Sequence, residues 1–262
     1  NTEHAANLFG LKEFGNIYSR LGNPTVGALE ARLTALEEGA MCVALSSGTS
    51  AVMYSLINIM SQGDNFVTAN QLYGGTYTMF DNILPEYGIN SKKVDITDLE
   101  AVEAAIDEKT RAIYCETITN PGLVVADISA LADIAHSKGI PLIVDATFTT
   151  SAILKPFEYG ADIVVYSLTK WMSGHGRVIA GAVIEKGGFD WGNGNFPLYD
   201  KPDTSYGGMR WGHDLGDLGN VAYSLRLRTV PLRNLGANMS PDTAFEVMSG
   251  LETLALRMER HC

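Results

Sequence analysis

Between residues 41 and 170, short apolar runs alternate with stretches in which apolar residues recur every three or four positions. Met41-Cys-Val-Ala-Leu45, Asn65-Phe-Val-Thr-Ala69, Arg111-Ala-Ile-Tyr-Cys-Glu116, Ile140-Pro-Leu-Ile-Val-Asp145 and Ile163-Val-Val165 read as strands, most of them near-continuously hydrophobic, as strands covered on both faces are. The intervening spacing predicts helices from the Ser46–Ser50 segment to about Met60, from Thr97 to Ile106 and from Asp127 to Lys138, the last stopped by Gly139. Thr97-Asp-Leu-Glu100 reads as a capping box. Upstream, Asn23 caps a predicted helix that has Pro24 in first position, Val26, Leu29, Leu33 and Leu36 on one face, and Gly39 at its end. Residues 1–22 lack a clear period and read as an extended arm. Strand and helix in alternation imply a parallel, doubly wound α/β sheet, whose functional groups gather at the strands' C-terminal ends.

Several polar residues fall at those ends. Lys170 follows the run 163–165 among Ser167, Thr169, Ser173, Gly174 and Gly176. Most lysines lie on surface turns; one in a dry pocket has its ammonium form disfavoured and can condense with a carbonyl near neutral pH. Asp145 closes an apolar strand, where a buried carboxylate is costly without a cationic partner, and no second carboxylate or histidine stands close by to make a metal site. Ser46-Ser-Gly-Thr-Ser50 leads from a strand into a helix N-terminus, where unpaired N–H groups and the helix dipole favour a phosphate. It is neither a Walker loop nor a dinucleotide fingerprint nor a nucleophile elbow, and a plain capped turn is the alternative. Tyr73, before Gly74 and Gly75, is placed to lay its ring on a flat ligand, or is an ordinary rim tyrosine. Glu116 and Asn120 can face one cleft. Tyr18 and Arg20, two apart on an extended segment, share a side and suit a phosphate, or form a simple surface pair.

Composition narrows the function class. The chain has 262 residues, 46% hydrophobic and 19% charged, enough for a substantial core. Its formal charge of −11 argues against nucleic acid as the main partner. Cys42, Cys115 and Cys262 show no paired spacing, which fits a reducing, cytoplasmic setting, the first two as buried strand thiols. No run is long and apolar enough for a membrane span. A start at Asn1 and an end inside a helical pattern suggest a piece of a longer protein.

Ser167-x-Thr-Lys170 followed by Ser-Gly-His-Gly176, and Tyr18-Ser-Arg-x-x-Asn-Pro-Thr25, resemble signatures of the Cys/Met-metabolism family of pyridoxal-phosphate enzymes. The resemblance runs over nearly the whole chain. It implies the aspartate-aminotransferase-like fold (fold type I), with an arm at 1–22, a cofactor-binding large domain at 23–250, and only the start of a C-terminal domain at 251–262. The remainder of that domain carries the family's arginine for the substrate carboxylate. Residue by residue, it implies Lys170 as the point of cofactor attachment, Asp145 at the ring nitrogen, Tyr73 stacked on the ring and moving protons, and Asn120 at the ring hydroxyl. The phosphate would be held by Ser47, Gly48, Thr49, Ser167 and Thr169, joined by Tyr18 and Arg20 of a second copy in a dimer or tetramer.

Within the family, Phe189-Asp-Trp-Gly-Asn-Gly-Asn-Phe-Pro197, the insert after it and Arg226-Leu-Arg-Thr-Val-Pro-Leu-Arg-Asn-Leu-Gly236 resemble the O-acetylhomoserine sulfhydrylases. That implies γ-replacement of acetate by sulfide to give homocysteine. A cystathionine γ-synthase, a γ-lyase or a non-catalytic sulfur-relay partner on the same fold are the alternatives; Gly75, where methionine γ-lyases carry cysteine, speaks against the lyase. Ala146 and Arg177 depart from the family's usual residues.

Overall fold

The computed structural model describes residues 2–10, 13 and 15–262, with Phe9 described by its backbone alone. Asn1, Leu11, Lys12 and Phe14, all within the expected arm, lie outside the described residues. Seven strands form one sheet: β1 Met41–Leu45, β2 Asn65–Ala69, β3 Asn90–Val94, β4 Thr110–Glu116, β5 Leu142–Asp145, β6 Ile163–Ser167 and β7 Gly181–Glu185, in the order β1-β7-β6-β5-β4-β2-β3. Six strands run one way, and β7 lies antiparallel between β1 and β6. The sheet is therefore mostly, not wholly, parallel. The apolar strand runs are buried as their composition requires, with Val43, Val67, Ile113, Val144 and Val164 fully inaccessible. β3 and β7 were not foreseen: β3, Asn-Ser-Lys-Lys-Val, is an edge strand whose polar sequence lacks the buried-run signature.

The helices are α1 Thr2–Phe9, α2 Pro24–Glu37, α3 Gly48–Ile57, α4 Gly74–Thr78, α5 Leu99–Ala105 and α6 Ile128–Ser137, followed by shorter turns and by Pro241–Leu251 and Leu254–His261. Asn23 caps α2 as expected, its side chain accepting from the Thr25 and Val26 N–H groups. The left-handed residue at the far end is Glu38 rather than Gly39; a Cβ at Gly39 would lie 2.8 Å from Ile184 Cγ2, so this glycine serves close packing instead. Likewise the cap of α5 is Asp98, not Thr97, whose hydroxyl and N–H turn back to Asp95. The arm is not extended throughout: α1 is helical, and the Leu21 and Gly22 N–H groups close a turn on Tyr18 O. Arg228 ties this turn to the core by donating to Leu21 O at 2.9 Å while pairing with Glu30. Cys42 and Cys115 are buried thiols on β1 and β4, as expected. Among the described residues no helix is long and apolar enough to cross a membrane.

One buried carboxyl away from the strand ends has a measurable consequence. Glu37 is fully buried, accepts from the Tyr166 hydroxyl, and is pushed up to about 7 by burial. An unfolded glutamate releases its proton near 4.5, so between about pH 4.5 and 7 the unfolded chain loses a proton that the native one keeps. Stability therefore falls as pH rises through that window. Glu37→Gln preserves the acceptor for Tyr166 and removes the titration. Urea unfolding of variant and parent should show the difference moving in the variant's favour by about 1–2 kcal/mol between pH 5 and 8; a constant difference would show that Glu37 ionises freely in the native state.

Candidate active site

Five parallel strands, β1, β2, β4, β5 and β6, deliver polar side chains to one cleft of about 650 Å³ at their C-terminal ends. Ser47, Gly48, Thr49, Tyr73, Asn120, Asp145, Ser167, Thr169 and Lys170 all line it, together with Glu116 and Thr147. Residues up to 123 positions apart in sequence thus converge because each follows a strand of one sheet, as Ser47 and Lys170 do.

At one end of the cleft, α3 begins. Ser47 is its cap, its hydroxyl accepting the Ser50 N–H at 3.0 Å and lying 3.0 Å from the Thr49 hydroxyl. The N–H groups of the first helical residues, Gly48 and Thr49, have no acceptor within the helix. A Cβ at Gly48 would stand 2.5 Å from Ser167 Cβ, so the glycine lets the helix start abut the end of β6. Hydroxyls and N–H groups from two elements thereby form one anion cup. Within it Thr169 is already committed, its hydroxyl donating to Ala180 O at 3.2 Å and accepting from Ala180 N at 3.0 Å.

Across the cleft floor Asp145 is half-buried. Its Oδ1 accepts the Thr147 N–H at 2.9 Å and its Oδ2 the Tyr114 hydroxyl at 3.3 Å. Burial raises the Asp145 carboxyl above its ordinary value, opposed by these hydrogen bonds. Burial, with the Asp145 charge beside it, holds the Tyr114 phenol well above its usual range, so it stays a donor. None of the ion pairs among the described residues uses Asp145. A carboxylate with two neutral donors and no cation suits a ligand carrying a protonated ring nitrogen.

Lys170 stands in the turn after β6, its N–H donating to Ser167 O at 3.3 Å. Its side chain is exposed at the cleft rather than enclosed in a dry pocket, opening into the same space that Gly174, Gly176 and Trp171 line. Arg257 holds the following segment: it donates to Trp171 O at 2.7 Å, Met172 O at 3.4 Å and Gly250 O at 2.8 Å, and a Cβ at Gly174 would collide with its guanidinium at 2.4 Å. Of the two departures, Ala146 is fully buried, and Arg177 pairs with Glu246 at 3.1 Å on the surface, where such a pair contributes little.

Tyr73 precedes α4 with 46% of its surface exposed, and a Cβ at Gly75 would lie 2.7 Å from its ring. Gly75 therefore sets where the ring lies. Gly75→Ala is expected to leave stability within about 0.5 kcal/mol, since the ring can turn outward, and to displace the ring in the variant's crystal structure; an unmoved ring would contradict this role. Tyr18 and Arg20 do meet, with Arg20 Nη2 2.7 Å from the Tyr18 hydroxyl, but through the turn and not through extended geometry, and neither lines the cleft of its own chain.

Thr147 and Tyr114 went unrecognised in the sequence. Thr147 carries two links, its N–H to Asp145 and its hydroxyl accepting the Ser167 N–H at 2.8 Å, which joins β5's end to β6's. An aspartate followed two residues later by threonine is an Asx-turn signal that points to it. Tyr114 lies two before Glu116 on one strand and so on the same face, a signal available from strand alternation.

A flat, phosphorylated heterocycle with a cationic nitrogen and an aldehyde fits this donor set: an anion cup at one end, a carboxylate for the ring, an aromatic side chain and a primary amine between. The comparisons agree. The family described as Cys/Met metabolism PLP-dependent enzyme matches residues 1–262. The chain is 46% identical to an O-acetyl-L-homoserine sulfhydrylase of Leptospira meyeri over 100% of this chain and 60% of that protein. It is 45% identical to a homocysteine synthase of Schizosaccharomyces pombe over 99% and 60%. A solved Campylobacter jejuni protein, described as a putative O-acetylhomoserine (thiol)-lyase with N'-pyridoxyl-lysine-5'-monophosphate, superposes with a TM-score of 0.95 at 40% identity, over 100% of this chain and 64% of that one. The chain thus spans about 60% of the length of the curated relatives it matches. With sequence match, fold and cleft chemistry in accord, the chain belongs to the Cys/Met-metabolism family of pyridoxal-phosphate-dependent enzymes.

Proposed function

We propose that the whole protein replaces the acetate of O-acetyl-L-homoserine with sulfide, giving L-homocysteine in methionine biosynthesis. The convergence of Lys170, Asp145, Tyr73 and the α3 anion cup on one cleft carries the reading, supported by relatives named O-acetyl-L-homoserine sulfhydrylase and homocysteine synthase at 46% and 45% identity. When bound, pyridoxal 5'-phosphate supplies an electron sink that stabilises carbanions on an attached amino acid.

The chain's own residues would do the rest. Ser47, Gly48, Thr49 and Ser167 bind the phosphate, with Thr169 closing the cup through its tie to Ala180. Asp145, oriented by Thr147 and Tyr114, holds the ring nitrogen protonated. Asn120 bonds the ring hydroxyl. Tyr73 covers the ring and excludes water from one face. Lys170 offers the attachment amine and, once released, is free at the cleft to take and return protons at the substrate's carbons. Tyr18 and Arg20 reach a second copy's phosphate, a role left open to them because neither lines its own chain's cleft. In this reading the arm is 1–22, the cofactor-binding domain 23–250, and 251–262 opens a further domain; the protein works in the cytoplasm as a dimer or tetramer.

Two measurements test the reading. Borohydride reduction and mass spectrometry should find a pyridoxyl adduct on Lys170. Full-length protein given O-acetylhomoserine and sulfide should release homocysteine and acetate; α-ketobutyrate and ammonia alone would identify a lyase instead.

A further inference from the structure

Glu116 ends β4, side by side with Asp145 at the end of β5, and only 6% of its surface is exposed. Burial, with the neighbouring Asp145 charge, pushes its carboxyl up to about 7. A carboxyl in such a place is costly unless its oxygens are satisfied. They are satisfied by two backbone donors from different loops: Oε1 accepts the Tyr73 N–H at 2.7 Å and Oε2 the Asn120 N–H at 3.0 Å. No lysine, arginine or histidine forms an ion pair with it among the described residues. The two loops also press on each other, since a Cβ at Gly122 would overlap the Gln71 side chain at 1.5 Å. Their spacing is therefore held at the carboxylate and at the Gln71–Gly122 contact.

We propose that Glu116 is a positioning residue: its carboxylate staples the loop bearing Tyr73 to the loop bearing Asn120 and so fixes how both meet the cofactor. This rests on the reading above, in which Tyr73 and Asn120 contact that cofactor. Both oxygens are used at once, one per loop, so a side chain with only one acceptor cannot replace it. Glutamine keeps one link and turns an amide N–H₂ toward the other donor. Aspartate, one methylene shorter, cannot span both.

The test uses the full-length protein loaded with pyridoxal phosphate. In Glu116→Gln, borohydride trapping on Lys170 is expected to persist, while the circular dichroism of the bound cofactor weakens several-fold and its dissociation rate rises about tenfold. Glu116→Asp should not restore either. An unchanged signal and rate in Glu116→Gln would overturn the proposal. Tyr73→Ala and Asn120→Ala serve as controls on the underlying reading: if they leave the cofactor signal unmoved, that reading fails, whereas if they move it and Glu116→Gln does not, only the staple fails. Amide hydrogen exchange on the unsubstituted full-length protein without cofactor decides the matter should the variants misfold. The Tyr73 and Asn120 N–H groups should be protected well beyond their exposed neighbours; free exchange of both would overturn the staple.

Discussion

Lys170→Ala is expected to fold as the parent does and to lose both cofactor attachment and turnover. The side chain is exposed and the main-chain bonds of its turn, Lys170 N to Ser167 O and Gly174 N to Lys170 O, do not depend on it, so the stability change should stay within about 0.5 kcal/mol. The chemical loss is of another size. Removing a positioned proton carrier alone costs about 10²–10⁴-fold in rate, and the attachment amine goes with it. Lys170→Arg keeps the positive charge but cannot deprotonate, so it should be as inactive as the alanine variant. Adduct mapping after borohydride reduction and single-turnover assay check this; an adduct at another lysine, or a rate within tenfold of the parent, would remove Lys170 from the reaction.

Gly181→Ala is the substitution expected to damage stability and cleft together. Gly181 begins β7 with ordinary backbone angles, so alanine is not excluded by conformation. It is excluded by space: the new Cβ would stand 2.0 Å from Ser47 O, 2.4 Å from Ser47 C and 2.8 Å from Gly48 N. These are backbone atoms of the α3 cap, and none can swing aside as a side-chain tip does. Either β7 shifts against β1 and β6, or the helix start moves off β7. Overpacking of this kind costs about 1–3 kcal/mol and occasionally more, and the backbone contacts put it at the upper end. Because the displaced atoms form the anion cup, phosphate affinity should fall as well. Urea denaturation and titration with pyridoxal phosphate, each against the parent, read the two effects separately. Full phosphate affinity in a destabilised variant would show that β7, not the cup, had yielded.

Much of the cleft is legible in the sequence. Asp145 ends, and Lys170, Ser47, Tyr73 and Asn120 follow, a strand that its own residues announce, and a parallel sheet brings such ends together whatever the loops do. Tyr114 and Thr147 escaped because their importance lies in what they touch. Tyr114 reads as one more core aromatic until the Asp145 carboxylate is found 3.3 Å from its hydroxyl. The Arg257 contacts with the Lys170 loop join residues more than eighty positions apart and leave no local trace. The exposure of Lys170 was illegible for a related reason: burial is a sum over neighbours brought in from several strands, and the residues beside it in sequence do not say how open the cleft is.

The sequence by itself determined the strands β1, β2, β4, β5 and β6, the helices α2, α3, α5 and α6, and which polar residues stand at strand ends. Those features depend on the periodicity and caps of a dozen consecutive residues. Tertiary structure alone decided the direction and place of β7, the edge position of β3, the shift of left-handed geometry from Gly39 to Glu38, and the bridging of two loops by Glu116. An apolar run such as Gly181-Ala-Val-Ile-Glu185 states that it will be buried but not which way it will run. That depends on the link from β6, which carries no crossover helix, and on the clearance at Ser47, neither of which is written in the run itself.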